Sequence, residues 1–432
     1  MLSNSDSNYA LSKVPAKFRL AKIIDAGAFG LIAILLIFLP WHAFLFTFFK
    51  SFFWTAEWTI WVQAWKEILV TLLAILAGSK ILIFWRLPQR KSFYLALGLI
   101  LFAFSHTLLV GGEFGQKFWA LGEFILPLSV FLSIQFFKMD FAVLTKLLFG
   151  SLALVLLFGF CQKLFLPVDF LTNFGYSANF SSWIPGGNLP AYHIVSGTEI
   201  ARVQSTFSSP NKLASFLILV LPLAYFFYLQ KQVKFLTGFI LIVGVLVLFW
   251  TYARLGWLAL FLIVVTLLWR NWHSQLAHKL KIGLFCLGGF FLIGALLQTN
   301  LQEILLREAS TTEHFTKMQM GLEAFWQNPW GSGLGSTDGL TKHFGHGLNP
   351  ENTFLAVAVE LGLLGGLLFL CFWLQLIVEL ARQKSPFFYA LLGLTLMLFF
   401  SPPLEDAPNA FTLFLLTGLS LESGQSSVFS NQ

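Results

Sequence analysis

The sequence predicts an all-α, polytopic integral membrane protein with about 12 transmembrane helices and two long loops on one face. Three observations predict it. The chain of 432 residues is 57% hydrophobic and 11% charged, where a soluble domain carries roughly a quarter charged residues. Uncharged apolar runs of about 17 to 25 residues recur from residue 26 almost to the end, each long enough to cross a hydrocarbon core of about 30 Å. The basic residues between those runs collect in every second connection.

The spans expected in chain order are 26–49, 67–86, 92–112, 117–137, 141–163, 213–229, 234–252, 254–269, 280–298, 353–378, 386–402 and 407–422. An even number puts both termini on one side. The N-terminal segment carries Lys13, Lys17, Arg19 and Lys22, and alternate connections carry Arg86, Arg90 and Lys91, then Lys138, Lys231 and Lys234, Arg270, Lys279 and Lys281, and Arg382 and Lys384. The positive-inside rule assigns this set to the cytoplasm. The first residues are polar and basic and run into a full-length span without the short apolar core of a secretory signal, so no cleavage of the N-terminus is expected.

The opposite face receives the two long connections, 164–212 and 299–352, within a single membrane domain spanning 1–432. The first, with FGYSANFSSWIPGGNLPAYHIV, is rich in aromatic residues, Gly and Pro without helical period, and reads as an ordered irregular loop. In the second, Phe315, Met318, Leu322, Phe325 and Trp326 recur at helical spacing, predicting an amphipathic helix on the membrane surface that ends at Asn328-Pro329 and a Gly-rich turn.

Cations are sparse on the outer face, so those found there draw attention. Arg202 lies in ARVQSTFSSPNKLASF, just before a span whose start is marked by Pro210 and Asn211, and Arg254 opens another span in TYARLGWLAL. Two guanidiniums at the outer boundary suit bidentate contacts to a lipid-linked phosphate or diphosphate; the plainer reading is that each snorkels to lipid headgroups. In HGLNPENTFLAVAVELGLLGG, Asn349, Pro350 and Glu351 look like a helix start, and Glu351 at the mouth of the bundle could also take a proton from an attacking hydroxyl. Glu360 and Glu123 fall inside spans, where a carboxylate must be neutral, paired or facing a cavity; a structural hydrogen-bonding role is the favoured reading for both. His314 and Lys317 come near Arg254 only if the second loop folds back over the bundle.

Several classes of chemistry are disfavoured. The net charge of +7 sits in topological clusters rather than a patch for nucleic acid. Cys161, Cys286 and Cys371 lie in or beside spans without metal or disulfide spacing and read as packing residues. His343 and His346 have a loose metal-ligand look but no third ligand nearby, so no metal is expected. There is no P-loop or GxGxxG, and no cofactor is expected.

RVQSTFSSPNKLASF is similar to an Arg-x-x-Gly-Thr-Phe-x-x-Pro-Asn-x-x-Ala pattern, RLGWL to Arg-x-x-x-Leu, NPWGSGLGS to Asn-Pro-x-Gly-x-Gly-x-Gly, and ENTFLAVAVELGLLGG to a His-Asn element followed by nine residues and Gly-x-x-Gly. In order and spacing these motifs resemble the superfamily of O-antigen ligases, O-antigen polymerases and protein O-oligosaccharyltransferases. The resemblance implies an inverting, metal-independent transfer of a glycan from an undecaprenyl-diphosphate carrier to the hydroxyl of a glycan, lipid or protein acceptor. It implies the outer face of a bacterial plasma membrane, with Arg202 and Arg254 on the diphosphate. It also draws in Asn211, Asn352, His314 and Lys317 as substrate-binding residues. The family's basic His falls on Glu351 here, and His314 stands where many members have an Arg; Ser205 replaces a Gly and Ala253 a Ser. The competing reading is a multi-pass transporter or flippase of a lipid-linked or anionic substrate, for which broken helices near the midplane and repeat symmetry are expected.

Overall fold

The computed structural model describes residues 16–52, 56–111, 114–178, 188–195, 198–270, 308–337 and 348–422. It is an all-α bundle. In chain order the helices are α1 (Ala16–Phe38), α2 (His42–Phe52), α3 (Ala56–Phe84), α4 (Lys91–Leu109), α5 (Phe114–Ile134), α6 (Phe141–Leu164), α7 (Pro210–Leu229), α8 (Lys234–Trp250), α9 (Arg254–Arg270), α10 (Glu308–Gln327), α11 (Thr353–Arg382), α12 (Phe387–Leu398) and α13 (Ala407–Glu422). Two short strands, β1 (His193–Ile194) and β2 (Ala201–Arg202), pair antiparallel between α6 and α7.

Among the described residues seven helical segments are long and apolar enough to cross a membrane, the first being Lys17–Phe52, in which α1 and α2 join through a 3-10 turn at Leu39–Trp41. Pro40 interrupts that segment because it has no N–H to give the helix, and Thr206 Oγ1 donates to its carbonyl at 2.6 Å. Eleven of the twelve expected spans coincide with helices; the span expected at 280–298, with Cys286, lies outside the described residues. Cys161 and Cys371, on α6 and α11, are free thiols.

α7 is the central post. Its sequence is apolar on every face, as a helix ringed by others must be, and 72% of its apolar window is buried, against 22% for the peripheral Trp61–Phe84. α8, α9 and α12 close around α7 and each other through glycines, as small residues permit between membrane helices. A Cβ on Gly244 would come within 2.8 Å of Leu221, one on Gly256 within 3.1 Å of Ala214, and one on Gly393 within 2.6 Å of Ile263 on α9.

Long-range contacts separate two ends of the bundle. At one, Lys80 donates to Asp25 at 2.6 Å, Ser92 Oγ to Glu379 at 2.6 Å and Gln383 to the Leu421 carbonyl at 3.4 Å; this end carries the basic connections around Arg90 and Lys384. At the other, Thr206 meets Pro40, Asn409 donates to the Lys212 carbonyl at 3.1 Å, and Thr353 Oγ1 to that of Ser401 at 3.2 Å. The expected site residues belong to this second end.

Candidate active site

The first long loop reaches the bundle through RVQSTF. Residues 203–207 are buried, and each is pinned. Val203 N donates to the Trp250 carbonyl at 3.0 Å, Ser205 N to Gln162 at 2.8 Å, and Ser205 Oγ to the Val155 carbonyl at 2.7 Å. Ser205 has φ +51°, in the left-handed region that favours glycine, the residue that the pattern it resembles has at this position. The pinning delivers Arg202 to the turn between α8 and α9. Its Nε donates to the Thr251 carbonyl at 2.7 Å and its Nη2 to Asn211 Oδ1 at 2.6 Å. Arg254 begins α9 three residues after Thr251, so one turn holds both arginines at the same end.

The second loop supplies α10, which begins at Glu308 and ends just before Asn328-Pro329 as its sequence predicts. Phe315, Leu322 and Trp326 of its apolar stripe stay exposed, at 59%, 45% and 73%, while Gly321 lies against α11: a Cβ there would sit 2.8 Å from Pro350 and 2.9 Å from Leu355. The loop folds back over the bundle, since Gly321 packs on Pro350 and Leu355 and both Lys317 and His314 reach Glu351. Burial, then Lys317 and Arg254, push the His314 imidazole below its usual value, against an upward pull from Glu313.

Glu351 meets two residues of α10, Lys317 and His314. Lys317 Nζ lies 2.6 Å from Glu351 Oε1, and His314 Nδ1 pairs with Glu351 Oε2. Lys317 also pairs with Glu313 at 2.7 Å, which holds that carboxyl below the usual range. The expected helix start at Asn349-Pro350-Glu351 is displaced. The helix begins at Thr353, capped by Asn352 Oδ1, which accepts from Leu355 N at 2.9 Å. Glu351 has φ +48° and cannot be helical; its N–H bonds Asn349 Oδ1 at 2.8 Å. The other end of the Asn352 side chain donates to the Phe399 carbonyl at 3.0 Å, so this amide is engaged in framing the start of α11.

The Gly-rich turn and the second Gly motif turn out to be halves of one joint. α11 is broken at Gly362, φ +71° and ψ −176°, and the turn 329–335 docks into the break. Ser332 N donates to the Val359 carbonyl at 2.8 Å, Gly333 N to that of Glu360 at 2.9 Å, and Leu363 N to that of Pro329 at 2.9 Å. Gly331, Gly333 and Gly335 all have positive φ, and a Cβ on Gly331 would lie 2.5 Å from Gly362 N. Glu360 Oε1 completes the joint, accepting from Gly335 N at 3.0 Å, Thr337 N at 3.2 Å and Thr337 Oγ1 at 2.7 Å. Glu123 accepts from Trp119 at 3.1 Å. Both carboxylates line a cavity of about 120 Å³ with Phe124, Phe369 and Phe414.

Sequence reasoning missed four residues at this end. Lys212 pairs with the buried Asp406 at 3.4 Å, and Asn409 donates to Asp406 Oδ2 at 2.9 Å. His193, across from Arg202 in the hairpin, is held near pH 4 by burial and then by Arg202 and Lys212, against a bond to the Ser208 backbone. The scarcity of outer-face cations that singled out Arg202 and Arg254 applied equally to Lys212. Among the described residues no group of three His, Cys, Asp or Glu side chains could hold a metal ion; His343 and His346 lie outside them.

No curated protein sequence matches the chain. A family model described as O-antigen ligase matches residues 238–370, a stretch that contains Arg254, α10, the Gly-rich turn, Glu351 and Gly362 and stops short of Arg202. Over that stretch the chain is similar to the O-antigen ligases, and three of the four motifs fall within it.

Proposed function

We propose that this protein transfers a glycan from an undecaprenyl-diphosphate carrier to an acceptor hydroxyl, by an inverting and metal-independent displacement on the extracytoplasmic face of a bacterial plasma membrane. The observation that carries the reading is the convergence of Arg202, Arg254, His314, Lys317 and Glu351 at one end of the bundle, from four separate stretches of chain. In this reading Arg202 and Arg254 hold the diphosphate and stabilise the charge that grows on it as the glycosidic bond breaks. Asn211 aims Arg202, and Asn352 fixes the start of α11 beside the site. The acceptor is a sugar, lipid or protein hydroxyl and is activated at the cluster of Glu351, His314 and Lys317.

The orientation rests on charge. The end opposite the site carries the basic connections, which the positive-inside rule assigns to the cytoplasm together with both termini. The transporter alternative would use a broken helix to expose backbone groups to a substrate. At the Gly362 break, Ser332, Gly333 and Pro329 take up the freed groups, which favours a structural joint.

The test is reconstitution of the full chain in lipid with undecaprenyl-diphosphate-linked glycan and an acceptor-containing extract of the source cell. Wild type should release carrier diphosphate as glycan appears on the acceptor, and Arg254→Ala and Arg202→Ala should each lower the rate by about 10²-fold or more. Movement of carrier across the bilayer without release of diphosphate would promote the transporter instead.

A further inference from the structure

We infer that His314, and not Glu351, receives the proton of the acceptor hydroxyl, with Glu351 the carboxylate that orients the imidazole. This rests on the glycan-transfer reading above and specifies the acceptor half of that site. Aligned by motif alone, the base position of this chain is Glu351. The contacts put a histidine back into the same place from another element: α10 offers His314, and its Nδ1 faces Glu351 Oε2.

Three features decide between the two groups. Glu351 Oε1 is already engaged by Lys317 at 2.6 Å, and Oε2 lies against His314 Nδ1, with no other group bonded to either of those two atoms among the described residues. Exposure runs the same way, since the Glu351 side chain is 14% exposed and that of His314 44%. A ring whose Nδ1 faces a carboxylate is fixed in the tautomer with its proton on Nδ1, which leaves the lone pair on Nε2 as the accepting site. The backbone supports the arrangement, because the left-handed φ of Glu351 and its bond to Asn349 hold the carboxylate beneath α10, and the Gly321 contact with Pro350 holds α10 above it.

The step balances. The acceptor oxygen forms a bond to the anomeric carbon as the bond from that carbon to the phosphate oxygen breaks. The electron pair leaves on the diphosphate beside the arginines, and the hydroxyl proton passes to His314 Nε2. The imidazolium so formed is stabilised by Glu351 and releases its proton to water before the next turnover. The charged groups facing His314 are Glu313 and Lys317 on its own helix, Glu351 at the start of α11 and Arg254 at the start of α9. The cations and burial keep the ring neutral at physiological pH, as a base must be.

The experiment compares wild type, His314→Gln, Glu351→Gln and Glu351→Asp in lipid across pH 4.5 to 8.5, with undecaprenyl-diphosphate-linked glycan as donor, and titrates the histidines by ¹⁵N-resolved NMR. His314→Gln should lower kcat by about 10²- to 10⁴-fold with the donor KM unchanged and the acid limb of the pH profile lost. Glu351→Gln should lose less, keep the limb and move it to lower pH, together with the His314 resonance, because a carboxylate no longer favours the imidazolium. Glu351→Asp should restore part of the rate. Transfer kept by His314→Gln and abolished by Glu351→Gln would make Glu351 the base and overturn the inference. An unmoved His314 titration in Glu351→Gln would also overturn it, with or without turnover. Absence of transfer by wild type, with the NMR coupling present, would instead fail the glycan-transfer reading.

Discussion

Replacing Gly362 by Ala tests the joint between the Gly-rich turn and the broken helix. The new Cβ would stand 2.4 Å from the carbonyl carbon and oxygen of Trp330 and 2.8 Å from the Pro329 oxygen. These are backbone atoms and cannot rotate aside. The φ of +71° with ψ of −176° is open in practice to glycine alone, and holding alanine there costs on the order of 1–3 kcal/mol. Pushing the turn back also loosens the bonds from Ser332, Gly333 and Leu363, each worth about 1 kcal/mol. Together the loss is about 4–6 kcal/mol, a large part of a typical stability of 5–15 kcal/mol. The assay is denaturant or thermal unfolding in mixed micelles, with Gly98→Ala as control. Gly98 lies within α4 with open space around the added Cβ, so that change should gain up to about 1 kcal/mol. A Gly362→Ala protein within about 1 kcal/mol of the control would refute the steric account of the joint.

Two further outcomes follow from the loop that carries Arg202. Ser205→Gly relieves a left-handed residue but gives up the hydroxyl bond to Val155, so unfolding stability should stay within about 1 kcal/mol of wild type, whereas Ser205→Val should lose at least about 2 kcal/mol. For His193, the folded value near 4 lies below the ordinary 6.5, so the unfolded chain binds a proton that the folded one refuses. Stability contributed by this group is therefore intact above pH 6.5 and falls as pH drops toward 4, by about 3 kcal/mol in all. Unfolding of His193→Gln followed over that range should show a shallower decline than wild type, and parallel declines would remove His193 from the account.

The sequence carried the spans well because a run of twenty apolar residues has one use in a lipid-facing chain. It carried the individual motifs as well, since Arg202, Arg254 and the glycines are visible as spaced letters. What it did not carry is which motif touches which. The turn at 329–335 and Gly362 are each legible as glycine patterns, yet their docking depends on positive φ angles and backbone proximity across the chain. The helix start was misplaced by three residues because Pro350 reads as a first-turn proline, while Asn352 is the group whose oxygen reaches Leu355 N. The Lys212–Asp406 pair joins residues almost two hundred positions apart, beyond any local pattern. The Glu351–His314 contact likewise requires α10 to fold back, which no spacing within the loop dictates.

The bond that seats Arg202 ends on the carbonyl of Thr251, and a carbonyl is present whatever side chain residue 251 bears. The anchor is therefore indifferent to identity at that position and strict about length. A substitution in the α8–α9 turn leaves an oxygen for the guanidinium to find, whereas one inserted or deleted residue rotates that oxygen away and shifts the start of α9, so both arginines lose their register at once.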